Sequence, residues 1–379
     1  MPTERSCAMH ANDWVEVRSK QEILATLDKN GRLDGMPFMP QMFEYCGKRF
    51  RVHKSAHKAC DPVYTMAARG VDNAVHLNLR CNGEAYGGCQ AGCRLFWRDA
   101  WLKPVGADAA RGSAPRDEAG RTKTPASYRG CTEEDVWRGT RRDGRLGEPD
   151  ANTQFVCQNT ELPEFSKPLS WWTPSQYVKD YASGNVTLGE MMRSAVYVLF
   201  GRRFGTRIPL LRHAYNEFQK LTGGMPTPVA NGKIPVGEPH PAANLNLQPG
   251  DLVRVKSHEE ILSTIDTRNT NRGLCFDAEM VPYCGGQYRV ITRVERFLDE
   301  KTGCMKSLKT PAVILEDVAC RSRFSRCRMF CPRGIYAWWR EIWLERVEEP
   351  GKRDAAGFDG AWSRREADNK SLASVEAAE

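Results

Sequence analysis

Cysteines are the residues of this chain whose spacing points most directly to chemistry. A first run, Cys81-x7-Cys89-x3-Cys93, lies in CNGEAYGGCQAGC, and Cys60 adds a fourth thiol upstream. Four cysteine thiolates can hold a zinc ion, at about 2.3 Å from the metal, or an iron–sulfur cluster. We therefore predict a metal site at Cys60, Cys81, Cys89 and Cys93, and the sequence does not separate Zn2+ from an iron–sulfur cluster.

Glycines interrupt this first run. Because glycine adopts positive φ at little cost, it lets a backbone turn tightly enough to gather several thiolates. The run lacks the C-x-x-C knuckle of zinc ribbons, so core packing of the cysteines as small hydrophobic residues remains the alternative. The four glycines are Gly83, Gly87, Gly88 and Gly92.

A second, weaker set of cysteines lies near the end of the chain. Its members are Cys320, Cys327 and Cys331. This set lacks an evident fourth thiol, because ungapped alignment puts Leu298 where Cys60 stands. Cys304 or His258 are candidates to complete it. We interpret the set either as a decayed metal site or as packing and surface thiols.

The cellular compartment decides how clustered cysteines are interpreted. The chain has 14 cysteines, and its first residues, MPTERSCAMHANDW, lack the apolar stretch of a secretory signal, so we expect a cytoplasmic protein. In that reducing compartment, clustered cysteines hold metal more often than they form disulfides. Cys131 and Cys157 are either further ligands or a redox pair. The longest apolar run, Ala195 to Phe200, has six residues and predicts no transmembrane segment.

An internal repeat organises the chain around the cysteines. The segment NDWVEVRSKQEILATLDKNG, from Asn12, matches GDLVRVKSHEEILSTIDTRN, from Gly250, without a gap. The similarity returns where FWRDAWLKPV faces WWREIWLERV. Residues 12–105 and 250–347 are therefore predicted to be two copies of one unit, the first module and the second module.

Local patterns predict mostly short strands. Each module opens with an alternating stretch, such as Leu252 to Lys256, which predicts a half-buried strand, and a short amphipathic helix follows. Later in the second module, QYRVITRVERFLDE and TPAVILEDV flank the turn-like Lys301-Thr302-Gly303 and predict a β-hairpin. Between the modules, Thr187-x-x-Glu190 is a capping box that predicts a helix through Phe200.

These patterns predict a mainly β fold with α insertions, in the α+β class. The first module carries the first cysteine run, and the region between the modules is polar, glycine-rich and proline-rich on either side of the predicted helix. The remaining predicted segments are a disordered N-terminus (1–11), a linker with a small helical insert (106–222), a second linker (223–249) and a disordered tail (348–379).

The opening Gly250-Asp-x-Val-Arg-Val-Lys256, followed by a meander, resembles the small SH3-like barrels. Together with the Tyr-Cys-Gly and WREIWL signatures, it is similar to a bacterial family with a duplicated module of this kind. The resemblance implies tandem SH3-like barrels joined by a small helical insert. Such barrels bind peptides, nucleic acids or nothing, so the resemblance implies no particular function.

Three functional hypotheses follow. No G-x-S-x-G elbow, P-loop, G-x-G-x-x-G fingerprint or H-E-x-x-H helix occurs, so whether the protein is an enzyme stays open. The leading hypothesis is a cysteine-ligated metal-binding accessory or scaffold protein with a protein partner. The alternatives are a metalloenzyme or iron–sulfur redox protein, and a nucleic-acid-binding protein using Trp14, Tyr288 and Trp338. The net charge of +8 favours anionic partners only weakly, because both signs are interleaved.

Overall fold

The computed structural model describes residues 9–63, 67–106, 130–198, 208–221, 228 and 230–348. These residues form mostly strands with few helices, in agreement with the predicted α+β class. The predicted disordered tail and most of the predicted disordered N-terminus lie outside the described residues, as do parts of both predicted linkers.

The first module is built on an antiparallel sheet. Within its described residues, five strands follow the order β8-β7-β4-β1-β9, and β5 and β6 join β10 of the insert in a smaller sheet. The elements of the module and this added strand are β1 (Trp14–Val17), α1 (Lys20–Leu24), β2 (Arg32–Leu33), β3 (Met36–Pro37), β4 (Arg49–Ser55), β5 (Lys58–Cys60), β6 (Ala68–Val71), β7 (Ala74–Arg80), β8 (Arg94–Arg98), β9 (Leu102–Pro104) and β10 (Ser166–Leu169).

The second module has a main sheet of the same order. Its described strands run β16-β15-β14-β11-β17, so each strand occupies the place of its counterpart in the first sheet. The elements are β11 (Leu252–Val255), α6 (His258–Leu262), β12 (Thr270–Asn271), β13 (Leu274–Cys275), β14 (Gln287–Leu298), β15 (Met305–Ala319), β16 (Tyr336–Trp339) and β17 (Leu344–Arg346).

The same local signals form the start of both modules. Alternation along β1 and β11 buries two valines on each strand, as the pattern predicts. The following helices each begin at a capping box, Ser19 with Glu22 and Ser257 with Glu260. The buried valines are Val15, Val17, Val253 and Val255.

The two modules differ most between their second and third main strands. In the second module β14 and β15 have 12 and 15 residues and pair as the predicted hairpin. In the first module β4 and β7 have seven residues each, and β5 and β6 occupy the intervening chain. We call residues 56–73 the first arm and residues 295–310 the second arm.

The insert contributes α2 (Glu133–Arg138), α3 (Pro174–Ala182), α4 (Leu188–Val196) and α5 (Pro209–Leu221). The predicted capping box of Thr187 and Glu190 is confirmed at the start of α4, and the predicted end at Phe200 lies outside the described residues. On the first arm, the fully buried ammonium of Lys58 lies 2.6 Å from the carboxylate of Asp180 on α3. None of the described helices has the length and apolar character needed to cross a membrane.

Replacing Asp180 with Asn should destabilise the protein, because the buried ammonium of Lys58 loses its counter-charge. Breaking a buried ion pair from one side costs about 3 kcal/mol or more in the free energy of unfolding, measurable by urea denaturation. Asp72→Asn is the matched control. The Asp72 carboxylate lies 4.0 Å from the ammonium of Lys167, and both side chains are largely exposed. The control should cost less than about 1 kcal/mol, and equal losses in both variants would contradict the prediction.

Candidate functional site

The loop between β7 and β8, residues 81–93, carries the first cysteine run. Backbone hydrogen bonds close it, because the Cys81 N–H donates to the Cys93 carbonyl (2.8 Å) and the Cys89 N–H donates to the Tyr86 carbonyl (3.2 Å). The prediction that glycines allow this tight folding is confirmed, since all four have positive φ. They are Gly83, Gly87, Gly88 and Gly92.

Gly83 is the position in this loop where the backbone is most constrained. Its φ is +77°, and a Cβ there would overlap the carbonyl oxygen of Cys89. Glycine is therefore required both for its left-handed backbone and for the close approach of the two chain segments. The loop reaches its observed shape only with this residue at its first turn.

Four cysteines line a cavity above this loop, which we call the four-thiol cavity. It has about 40 Å³ of free volume, compared with the roughly 10–15 Å³ that one water molecule needs. Tyr86, Leu95 and Leu298 make much of its wall apolar, and Glu300 also lines it. The four cysteines are Cys81, Cys89, Cys93 and Cys157.

Cys157 reaches the cavity from the insert. Its N–H donates to Thr160 Oγ1 (2.9 Å), and the Glu161 N–H donates to its carbonyl (3.1 Å), which makes a tight turn. The adjacent Gln158 is buried and exchanges two hydrogen bonds with the Phe96 backbone, at 2.8 and 2.9 Å. This amide anchors the turn to β8 and thereby places Cys157 at the cavity. The sequence left the role of Cys157 open, because no local spacing connects it to the loop.

The second arm also contributes to the lining of the cavity, through Leu298 and Glu300. The Leu298 N–H donates to Cys89 Sγ (3.3 Å), and the Leu298 side chain belongs to the core of the first module. Gln90 Oε1 accepts hydrogen bonds from the N–H groups of Glu295 (2.8 Å) and Arg296 (3.0 Å). Both modules and the insert therefore meet at the four-thiol cavity.

Burial affects the ionisation of the thiols that line the cavity. It raises the pKa of Cys81, Cys89 and Cys93 above the usual value, and it raises the pKa of Cys157 to about 11. Negative charge nearby acts in the same direction, from Cys157 on the pKa of Cys81 and from Glu300 on the pKa of Cys93. Thiolates in this cavity would therefore need a bound cation or cationic cluster to offset their charge.

Cys60 lies away from the cavity lining. On β5, its N–H donates to Cys331 Sγ of the second module (3.0 Å). Its carbonyl accepts a hydrogen bond from the buried Arg333 guanidinium (2.6 Å). The structure thus brings together three cysteines of the first predicted set and puts Cys157 beside them, while Cys60 contacts a cysteine of the second predicted set.

The second cysteine set lies on the loop between β15 and β16. Cys304 and His258 were the candidates for a fourth member of this set. The Cys304 thiol donates a hydrogen bond to the Thr302 carbonyl (3.8 Å), and both residues belong to the second arm. His258 packs against the ring of Phe276 at 5.9 Å. The structure instead places Cys60 in contact with this loop. The cysteines of the loop are Cys320 and Cys327, both half-buried, and the buried Cys331.

Neither cysteine set forms a compact site for one metal ion. Within the described ranges, no three His, Cys, Asp or Glu side chains are arranged so that they could hold a metal ion. The identity of any bound metal therefore stays a prediction, and so do both predicted ligand sets.

Comparisons with known proteins give no independent assignment. No protein-family model matches the chain. The curated proteins contain no significant match either. The geometry of the cysteines is consequently the basis for any functional proposal.

Replacing Gly83 with Ala should deform the cysteine loop, because the new Cβ meets the Cys89 carbonyl. We expect a loss of about 2 kcal/mol or more in the free energy of unfolding. Gly47→Ala is a matched control, since Gly47 has a similar φ of +73° but open space around its Cβ position. The control should lose about 1 kcal/mol. Equal destabilisation in urea titrations would show that the close approach is unimportant.

Proposed function

We propose that this protein is a cysteine-ligated metal-binding scaffold whose centre lies in the four-thiol cavity. The observation that carries the proposal is the convergence of four cysteines from two separate parts of the chain on one cavity. Cysteines that only pack a core fill space, whereas these four half-buried cysteines surround free volume. They do match the ligand set of a thiolate-bound metal centre.

An iron–sulfur cluster suits this cavity better than a single zinc ion. Tetrahedral zinc holds thiolates about 2.3 Å from the metal and therefore about 3.8 Å from one another. A cluster is several atoms wide and uses four cysteines, so thiols around a cavity suit it. The mostly apolar wall would shield such a cluster from solvent.

Two neighbouring groups would tune the bound thiolates. The Leu298 N–H donates to Cys89 Sγ, and the amide of Gln41 donates to Cys81 Sγ, both at 3.3 Å. Hydrogen bonds to ligand sulfur stabilise thiolate charge and influence the reduction potential of a cluster. Leu298 and Gln41 are therefore positioning residues of the proposed centre.

We also propose that each module is an SH3-like barrel. In each main sheet the first strand lies between the second and the fifth, and the third and fourth strands follow. This is the strand order of SH3-like barrels, which also carry a short 3-10 turn before the last strand. Such turns are present at Asp99–Trp101 and Glu341–Trp343. The modules would serve as rigid supports for the cysteine loops.

The partner of this scaffold stays a prediction. A protein partner would cover apolar surface, and large apolar side chains are exposed on the described insert. The three aromatics considered for nucleic-acid binding are half-buried, and each contacts a neighbouring side chain: Trp14 contacts Arg51, Tyr288 contacts Tyr283, and Trp338 contacts Phe297. The exposed insert residues include Trp172, Val178, Tyr181, Leu188 and Met192.

Protein purified without oxygen should contain iron and acid-labile sulfide, and it should be brown. Cys157→Ser should remove the iron held in the four-thiol cavity, because serine is a poor cluster ligand. Cys131→Ser is the control, since Cys131 is also a cysteine of the insert but does not line the cavity. Elemental analysis and the visible absorption spectrum check both variants.

Two outcomes would contradict this assignment. Stoichiometric zinc without iron would replace the cluster with the zinc alternative at the same cysteines. Unchanged metal content in Cys157→Ser would remove Cys157 from the site and leave the cavity without the proposed function.

A further inference from the structure

Exposed apolar side chains are concentrated on the helices α3, α4 and α5 and next to them. Among the described residues, thirteen large hydrophobic side chains are exposed, and ten of them lie between Trp172 and Leu221. The exposed fraction is 72% at Trp172 and 87% at Leu221. Single exposed apolar residues are ordinary, whereas a concentration of them marks an interaction surface. We call the exposed side chains of the described residues from Trp172 to Leu221 the insert surface.

The apolar side chains of this surface follow helical spacing. On α5, Leu210, Ala214 and Leu221 are exposed, and their intervals of four and seven residues put them on one side of the helix. On α4, Leu188 and Met192 are exposed and four residues apart. Helices that only pack on a core turn such a stripe inward. Here the stripe faces outward, where it can contact another molecule.

The opposite sides of the helices attach them to the protein. The ring of Tyr177 on α3 packs on Phe330 (6.4 Å), which belongs to the loop between β15 and β16. Tyr197, directly after α4, packs on Phe324 of the same loop (5.1 Å) and on Tyr215 of α5 (6.2 Å). The fold therefore holds the three helices by their buried sides and leaves the insert surface uncovered.

The charges of this surface have one sign. The exposed cations on the three helices are Lys179, Arg193 and Arg212. None of the carboxylates described on these helices is exposed, because each is buried or half-buried, and elsewhere in the chain the two signs are interleaved. A surface of apolar and cationic side chains is complementary to a partner that is both apolar and anionic. The carboxylates are those of Asp180, which pairs with Lys58, Glu190, which pairs with Arg323, and Glu217.

We propose that the insert surface binds the face of an anionic lipid bilayer, with α3, α4 and α5 lying at the level of the lipid headgroups. The apolar side chains enter the boundary of the acyl chains, and Lys179, Arg193 and Arg212 contact the lipid phosphates. Trp172 and Tyr181 supply the amphipathic rings that favour such an interface. This binding does not depend on the proposed metal centre.

A bilayer fits this surface better than a protein partner does. Tight protein interfaces depend on a few anchor side chains that fill matched pockets, near a centre from which charges are depleted. The insert surface instead spreads its apolar side chains over three helices and places cations among them. A fluid lipid surface accepts that arrangement without matched pockets.

The test is sedimentation of the full-length protein with lipid vesicles. We expect the protein to sediment with phosphatidylcholine vesicles that contain one-third phosphatidylglycerol, and much less with pure phosphatidylcholine vesicles. Raising the salt concentration from about 0.1 M to about 1 M should weaken the binding, because it screens the lipid phosphates.

Single substitutions separate the apolar and the cationic contributions. Leu210→Gln and Leu221→Gln should each lower the vesicle partition coefficient about tenfold. Leu146→Gln is the control, because Leu146 is a 49% exposed leucine outside the three helices. Arg193→Glu and Arg212→Glu should each lower it about tenfold or more on anionic vesicles. Their control is Lys167→Glu on β10, which changes the net charge equally at an 87% exposed position.

Three results would overturn the proposal. The first is no binding to anionic vesicles, and the second is equal loss of binding in the variants and their controls. The third is a dimer or a complex with another protein that Leu210→Gln dissociates while vesicles leave the unmodified chain in solution, because a protein then covers the insert surface. Thermal melts monitored by circular dichroism check folding, and these exposed substitutions should leave the melting temperature unchanged.

Discussion

The side chain of Leu298 completes the core of the first module, although the residue belongs to the second. Burying a leucine side chain contributes about 2 kcal/mol, and the same residue donates its N–H to Cys89 Sγ. Close by, the Phe155 N–H of the insert donates to the Gly303 carbonyl of the second arm (2.8 Å). This arm therefore holds the cysteine loop, the insert and the second module in one arrangement, on which the four-thiol cavity depends.

The proposed metal centre would depend on this arrangement and would stabilise it. Desolvation raises the pKa values of Cys81 and Cys157, so the cavity favours thiolates only when a positive group occupies it. Because the ligands come from the first module and the insert, binding would couple the folding of these two parts.

Local signals were sufficient wherever neighbouring residues decide the conformation. The alternating valines of β11 predicted a half-buried strand, and Thr187 with Glu190 predicted the start of α4. The turn residues Lys301 to Gly303 predicted the tip of the β14–β15 hairpin, and the structure shows these strands paired. Each of these features depends on interactions over a few residues, which a sequence pattern records directly.

By itself, the sequence determined the repeat, the strands that open each module and the two cysteine runs. Only the tertiary structure decided which thiol accompanies each loop. Cys60 is closer in sequence to the first loop, yet its arm crosses to Cys331, while Gln158 anchors Cys157 beside the first loop. The physical reason is that these placements depend on contacts between chain segments that are distant in sequence. The length of an arm and the packing of a core determine such contacts, and neither leaves a local pattern in the sequence.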